Sequence, residues 1–195
     1  MIRSAGTRYS YSPGLTLLRG GLDDLESIAF VGTPCQITAV RMIQRFPLKH
    51  TKSISFTIGL FCSESFSYQG LIREKIEKDM NIDLEDVSKV NIKGSLLIYS
   101  RGGDVRKVSL KEAKEFSRPL CKRCRDFSAE FADVSCGGVG LEGWTLTVIR
   151  SKEGLRLFDE AMHKGLLEAK PVGDFPSSLR ILKKLSNIKH RRPLP

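Results

Sequence analysis

Ser27-Ile28-Ala29-Phe30-Val31-Gly32-Thr33-Pro34-Cys35-Gln36 is the stretch on which the fold of this chain turns. Ser27 to Val31 reads as a short buried strand, and Gly32-Thr33-Pro34 as the turn from that strand into a helix. Thr33 suits the N-cap. Pro34 suits the first helical position, where a missing N–H costs nothing, and Gln36 can reach back to the cap as the partner in a capping box. Cys35 then falls in the first helical turn, where the partial positive charge of the helix end favours a thiolate over a thiol.

Working outward, the same pattern returns. Ile54, Phe56, Ile58 and Leu60 alternate with Ser53, Ser55, Thr57 and Gly59, the period of a half-buried strand, which ends at Phe61-Cys62. Tyr68, Leu71, Ile72, Ile76 and Met80 follow at helical spacing, so strand, cysteine loop and helix occur twice. If the two strands are parallel neighbours, both cysteines stand at one sheet edge, the edge at which open α/β sheets bind ligands.

The next part reads as an antiparallel meander: Lys89 to Ile92, Leu96 to Tyr99, and Val105 to Val108 after the turn Arg101-Gly102-Gly103-Asp104. A short helix over Leu110 to Phe116 precedes Arg118-Pro119-Leu120 and Cys121-Lys122-Arg123-Cys124. A glycine-rich turn from Ser135 to Gly140, a β-rich Trp144 to Ile149 and a helix through Leu155, Phe158, Ala161 and Met162 complete the pattern. The expected fold is α/β, a mixed sheet with flanking helices and with the chemistry held by loops. The expected domains are 1–170, and a basic C-terminal helix and tail over 171–195.

The chain has 195 residues, 41% of them hydrophobic, which fits one ordinary domain with or without a tail. Such a chain buries roughly two-thirds of the surface its unfolded form exposes, so its five cysteines are not needed as staples. An odd cysteine count argues against a secreted disulfide framework and leaves metal binding, redox chemistry or burial. Met1 to Gly6 holds no hydrophobic signal core, and no apolar run approaches the ~18 residues of a membrane span; a soluble, cytoplasmic protein is expected. The net charge of +10 implies an anionic partner. No acidic residue follows Asp174, and Arg180, Lys183, Lys184, Lys189, Arg191 and Arg192 hold +6 of that charge. This run reads either as a solvated end or as a docking element.

Cys121 and Cys124 form a C-x-x-C, whose spacing lets two sulfurs reach one centre. Alone it fits zinc, an iron-sulfur cluster or dithiol redox chemistry. A thioredoxin-like motif should open a helix directly after a strand, whereas this one follows Arg118-Pro119-Leu120 in a loop, so thiol exchange is the weaker reading. Structural zinc sites usually take two close pairs of ligands, but Cys35 and Cys62 are single residues on separate loops. Thiolates supplied as one, one and a pair suit a cubane iron-sulfur cluster at least as well, and Lys122, Arg123 and Arg125 would offset its negative charge. Unrelated buried cysteines are the bland alternative.

Cys136, before Gly137, Gly138 and Gly140, reads as a small buried loop residue. The glycines could let backbone amides approach a phosphate or a flat ring. No P-loop occurs, and although Gly138-Val139-Gly140-Leu141-Glu142-Gly143 has G-x-G-x-x-G spacing, it leads into the β-rich Trp144 to Ile149 and not into a helix, so a Rossmann fingerprint cannot be claimed. His50, His163 and His190 lie far apart in sequence with no H-E-x-x-H, which argues against a histidine hydrolase or zinc peptidase. Glu64 and Asp126, each close after a candidate cysteine, read as acceptors near the site or as solvated carboxylates.

Gly6-Thr7-Arg8-Tyr9-Ser10-Tyr11-Ser12-Pro13, Val31-Gly32-Thr33-Pro34-Cys35-Gln36, Gly59-Leu60-Phe61-Cys62-Ser63-Glu64 and Cys121 to Phe127 with Ala132-Asp133-Val134-Ser135 resemble, in order, the coenzyme F-420 hydrogenase/dehydrogenase beta subunit family. The resemblance runs to about Arg150. It implies a cytoplasmic oxidoreductase subunit, an iron-sulfur flavoprotein that passes electrons between reduced coenzyme F-420 and a partner oxidoreductase such as a hydrogenase, dehydrogenase or reductase. It further implies that Cys35, Cys62, Cys121 and Cys124 ligate one 4Fe-4S cluster, with Cys136 outside the ligand set. FAD is the implied flavin, and Arg8, Tyr9, Ser10, Thr33, Gly137 and Gly138 are its candidate contacts. Family members carry a further N-terminal segment, which is expected to be absent here or supplied by a separate chain.

Two other readings remain: an electron-relay or scaffold subunit without flavin, and a zinc-bearing nucleic-acid-binding module built on the C-x-x-C and the tail. Against the latter, the basic run is not interleaved with aromatic residues that could stack on bases.

Overall fold

The paired cysteine loops rest on a sheet whose parallel part is β1 (Ile28–Gly32), β2 (Ile54–Leu60) and β6 (Val134–Gly137). The computed structural model describes residues 9–10, 12–19, 25–46 and 53–193. They fall into two compact units: one holds the described residues up to Ser12 with Glu64–Lys122, and the other holds the rest.

In the first unit, β3 (Val87–Ile92), β4 (Ser95–Ser100) and β5 (Val105–Ser109) form a three-stranded antiparallel sheet. This is the expected meander, but it is a sheet of its own and not part of one larger mixed sheet. The Arg101 to Asp104 turn closes with the Ser100 N–H donating to Asp104 O at 2.9 Å, and Gly103 takes φ +92°, a backbone conformation that glycine adopts without strain. Leu96 and Ile98, two residues apart on β4, point to the same face and are fully buried with Leu71 and Ile76. Burial of each such side chain stabilises the unit by roughly 1.5–3 kcal/mol.

Leu71 and Ile76 belong to a helix over Tyr68–Asp79 that is wound as a π-helix, one residue wider per turn than the 3.6 period anticipates. Its two buried side chains are accordingly five residues apart. The Ser67 hydroxyl caps it, accepting from the Gly70 N–H at 3.1 Å. The short helix expected over 110–116 is present as α2 (Leu110–Ala113) continued by a 3-10 turn, Lys114–Phe116.

The second unit carries a four-stranded mixed sheet in the order β1-β2-β6-β7, with β7 (Leu146–Ile149) antiparallel to β6. Helix α1 (Pro34–Gln44) buries Pro34, Ile37 and Val40. Ile37 and Val40 share a cluster with Phe30, Ile54, Ala129 and Ala132. The strand β2 departs from simple alternation: Thr57 and Gly59 are buried while Leu60 is 41% exposed. Two interactions cause this. The Asp133 carboxylate accepts from Thr57 N–H at 2.9 Å and from Thr57 Oγ1 at 2.8 Å. The missing side chain of Gly59 lets Ala129 and Ala132 close on the backbone, since a Cβ there would stand 2.2 Å from that of Ala129.

Helix α3 (Lys152–His163) follows β7, with the Ser151 hydroxyl accepting from the Gly154 N–H at 2.9 Å. Helix α4 (Pro176–His190) lies in the same unit, and its Leu182 and Leu185 pack on Phe127, Val139 and Leu146. Among the described residues, no helix is long and apolar enough to cross a membrane.

Candidate functional site

The β1–β2 pairing is parallel, with Gly32 opposite Gly59. Cys35 and Cys62 each come three residues after their member of that pair, so both loops leave the C-terminal edge of the sheet at one level. Next to them, β2 pairs with β6 in parallel, Leu60 opposite Cys136, which brings Gly137 and Gly138 to the same edge. The conditional expectation drawn from the two strand, cysteine and helix patterns is met in its geometry for the two strands.

At the first loop, Thr33 is the N-cap of α1. Its N–H donates to Gln36 Oε1 at 2.9 Å, the return half of the capping box, and its hydroxyl lies 3.3 Å from Cys35 Sγ. Cys35 is exposed in the first turn. The Cys62 loop is fixed through its backbone: the Phe61 N–H donates to Cys136 O at 2.8 Å, and the Cys62 N–H to Phe127 O at 2.9 Å. The Phe61 and Phe127 rings meet at 5.6 Å between centroids. No helical turn begins at Cys62; the next helix starts at Tyr68 and belongs to the first unit.

The division between the units falls inside the C-x-x-C. Cys121 lies in a 3-10 turn, Pro119–Lys122, of the first unit, with Sγ 3.9 Å from Ser65 O. Cys124 belongs to the second, with Sγ 3.5 Å from Asp126 O. The flanking Lys122, Arg123 and Arg125 are all exposed. Among the described residues, a different basic group reaches a cysteine sulfur: Lys189 of α4, only 3% exposed. Its Nζ donates to Cys62 O at 2.8 Å, Asp126 O at 2.8 Å and Cys124 Sγ at 3.2 Å.

Cys136 is a strand residue and not a loop residue: it sits within β6, opposite Leu60 on one side and Thr147 on the other. Its ladder bonds extend the strand to Gly137, where the Phe61 ring occupies the space a side chain would need, within 2.5–2.7 Å of an ideal Cβ. Burial pushes the Cys136 thiol pKa up. Gly138 has open space where a Cβ would stand, so its backbone can be approached closely.

Of the remaining flavin candidates, Arg8 lies outside the described residues. Tyr9 and Ser10 are in the first unit, where Tyr9 O accepts from the Phe66 N–H at 2.9 Å and Ser10 bridges to Phe66. Tyr9 holds φ +51° and packs against the first unit's core. Glu64 Oε2 accepts from Ser117 Oγ at 2.7 Å in that unit. Asp126 is an acceptor in its own loop, taking the Glu130 N–H at 3.0 Å, and burial raises its pKa. Its Oδ1 is buried with no hydrogen-bond partner among the described residues. His190 pairs with Glu130, and His50 lies outside the described residues.

The described residues contain no ready-made group of three or more histidine, cysteine or acidic side chains able to hold a metal ion. Of the candidate sulfurs, that of Cys124 has a buried cation beside it, and soft sulfur next to a cation fits an iron-sulfur centre better than a hard cation.

Residues 25–174 match the family model that describes the C terminus of the coenzyme F420 hydrogenase/dehydrogenase beta subunit. The chain belongs to this family. It is 36% identical to the coenzyme F420 hydrogenase subunit beta of Methanococcus voltae, over 95% of this chain and 68% of that protein. It is 39% identical to the coenzyme F420-dependent sulfite reductase of Methanocaldococcus jannaschii, over 79% of this chain but 27% of that protein. Its fold superposes on a chain of the F420-reducing nickel-iron hydrogenase complex of Methanosarcina barkeri with TM-score 0.91 and 34% identity, covering 98% of this chain and 68% of that one. The beta subunit family of the F420 hydrogenases and dehydrogenases is therefore the family that the cysteine loops and the strand order belong to.

Proposed function

We propose that this chain is a redox subunit passing electrons between reduced coenzyme F-420 and a partner oxidoreductase, with FAD and one 4Fe-4S cluster as its carriers. The observation that supports this best is the matched sheet edge. In a member of this family, Cys35 and Cys62 leave paired strands at the same level, and the loop of Cys124 is bonded to that of Cys62.

Cys35, Cys62, Cys121 and Cys124 are the proposed cluster ligands, Cys121 joining through the C-x-x-C spacing that ties it to Cys124. Arg8, Tyr9, Ser10, Thr33, Gly137 and Gly138 are the proposed flavin contacts. Gly138 serves by offering unobstructed backbone amide to a phosphate or ring, and Thr33 by the hydroxyl at the head of α1. When bound, FAD would supply acceptance of the electron pair that the deazaflavin carries as a hydride, and the cluster would supply one-electron conduction. The chain's own task is to orient and to exclude water: Phe61 and Phe127 form an apolar wall beside Cys62, and α1 presents its N-terminal end to Cys35.

The test is anaerobic addition of FAD and reduced coenzyme F-420 to the iron-loaded chain together with its partner subunits. Oxidation of the coenzyme that requires FAD is the expected result. A loaded cluster with no FAD-dependent oxidation overturns the flavin step and leaves an electron relay.

A further inference from the structure

The net positive tail was open to a solvated reading, yet one of its lysines is among the most enclosed polar residues of the chain. Lys189 is 3% exposed, and its ammonium has three N–H donors and three acceptors: Cys62 O, Asp126 O and Cys124 Sγ. Among the described residues no carboxylate forms an ion pair with it. A buried cation whose partners are two carbonyls and a sulfur is costly unless negative charge stands close by. Sulfur ligands bearing a cluster would supply that charge.

The end of α4 is stitched to the same loop from both directions. Arg125 Nε donates to His190 O at 2.7 Å at the helix C-terminus, His190 Nε2 meets Glu130 Oε1 at 2.8 Å, and Arg192 Nη1 reaches Cys124 O at 3.4 Å. Leu182 and Leu185 anchor the rest of the helix on Phe127, Val139 and Leu146. The position of Lys189 is thus imposed by the packing of a 15-residue helix and not by the lysine itself.

We infer that Lys189 is a positioning residue for the cluster: its ammonium joins the Cys62 and Cys124 loops and donates to the Cys124 thiolate, stabilising the reduced centre. This rests on the cluster assigned above. The electron enters from the reductant and resides on the cluster. Lys189 contributes a fixed charge and an N–H···S bond, both of which raise the reduction potential.

The experiment is a dithionite redox titration of the iron-loaded chain, followed by electron paramagnetic resonance, for wild type, Lys189→Gln and Lys189→Arg. Lys189→Gln is expected to keep its iron and to shift the midpoint to more negative potential, with Lys189→Arg lying between it and wild type. An unchanged midpoint in a loaded Lys189→Gln protein overturns the inference and leaves the cluster standing; a wild-type chain that binds no cluster overturns the reading beneath it instead. Should Lys189→Gln fail to fold or load, wild-type protein labelled with 15N-lysine decides. A 15N coupling to the reduced cluster is the expected result, and a loaded, reduced cluster without one contradicts the assignment.

Discussion

Asp133 holds the second unit together at a single carboxylate. Its Oδ2 accepts from Arg41 Nη2 at 2.8 Å as well as from Thr57, and its Oδ1 accepts from Ser151 Oγ at 2.8 Å. Burial alone would raise its pKa. The bonds from Ser151 and Thr57, with the Arg41 charge, outweigh that and hold it below the ordinary 3.8. A depressed folded value means that the contribution is present above pH 3.8 and is lost as pH falls through the folded pKa. Asp133→Asn is expected to destabilise the protein by roughly 3 kcal/mol at neutral pH, because it leaves Arg41 and a buried donor of Thr57 unmatched. In denaturant titrations the gap to wild type should narrow as pH drops below 3.8; a gap independent of pH would contradict the assigned role. Single residues were legible in sequence where their partners are local. Thr33, Pro34 and Gln36 declare a helix start within four positions, whereas Lys189 meets Cys62 across 127 residues and carries no local signal of burial.

At the scale of elements, β2 shows how much periodicity could tell. Its extent follows from the strand pattern; its parallel pairing with β1, only a condition in the sequence, is met by the sheet, and the inward faces differ. Alternation points Ile58 and Leu60 inward, while Gly59 is buried because the segment 129–132 packs directly on its backbone. Gly59→Ala places a methyl group 2.2 Å from the Ala129 Cβ and 2.9 Å from that of Ala132, both on packed main chain with no flexible arm to yield. A loss of about 2 kcal/mol or more is expected in thermal or denaturant unfolding, and an unchanged midpoint would refute the close packing. The π-winding of Tyr68–Asp79 escaped the sequence for a related reason: Leu71, Ile72, Ile76 and Met80 fit an α-helical stripe, and tertiary burial of Leu71 with Ile76 accompanies the wider turn. The Cys136 strand was hidden by its following glycines, which normally signal a turn, although Gly137 lies in the strand and gives room to the Phe61 ring.

For the whole molecule, the charge and the cysteines prove to be connected. Of the +10 net charge, +6 lies after Asp174, and that run includes the lysine bound among the cysteine loops. The family was legible from four ordered motifs, and two of them pointed to a shared sheet edge on the condition that their strands pair in parallel, which they do. The burial of Lys189 against Cys124 was not legible, because it depends on where the last helix docks. The proposal on which the redox reading stands is that Cys35, Cys62, Cys121 and Cys124 together hold one 4Fe-4S cluster. The most direct test is to quantify iron, acid-labile sulfide and zinc in the chain after anaerobic reconstitution. About four irons and four sulfides per chain and no stoichiometric zinc are expected, the count of a single cubane cluster. One zinc per chain and no iron would contradict it.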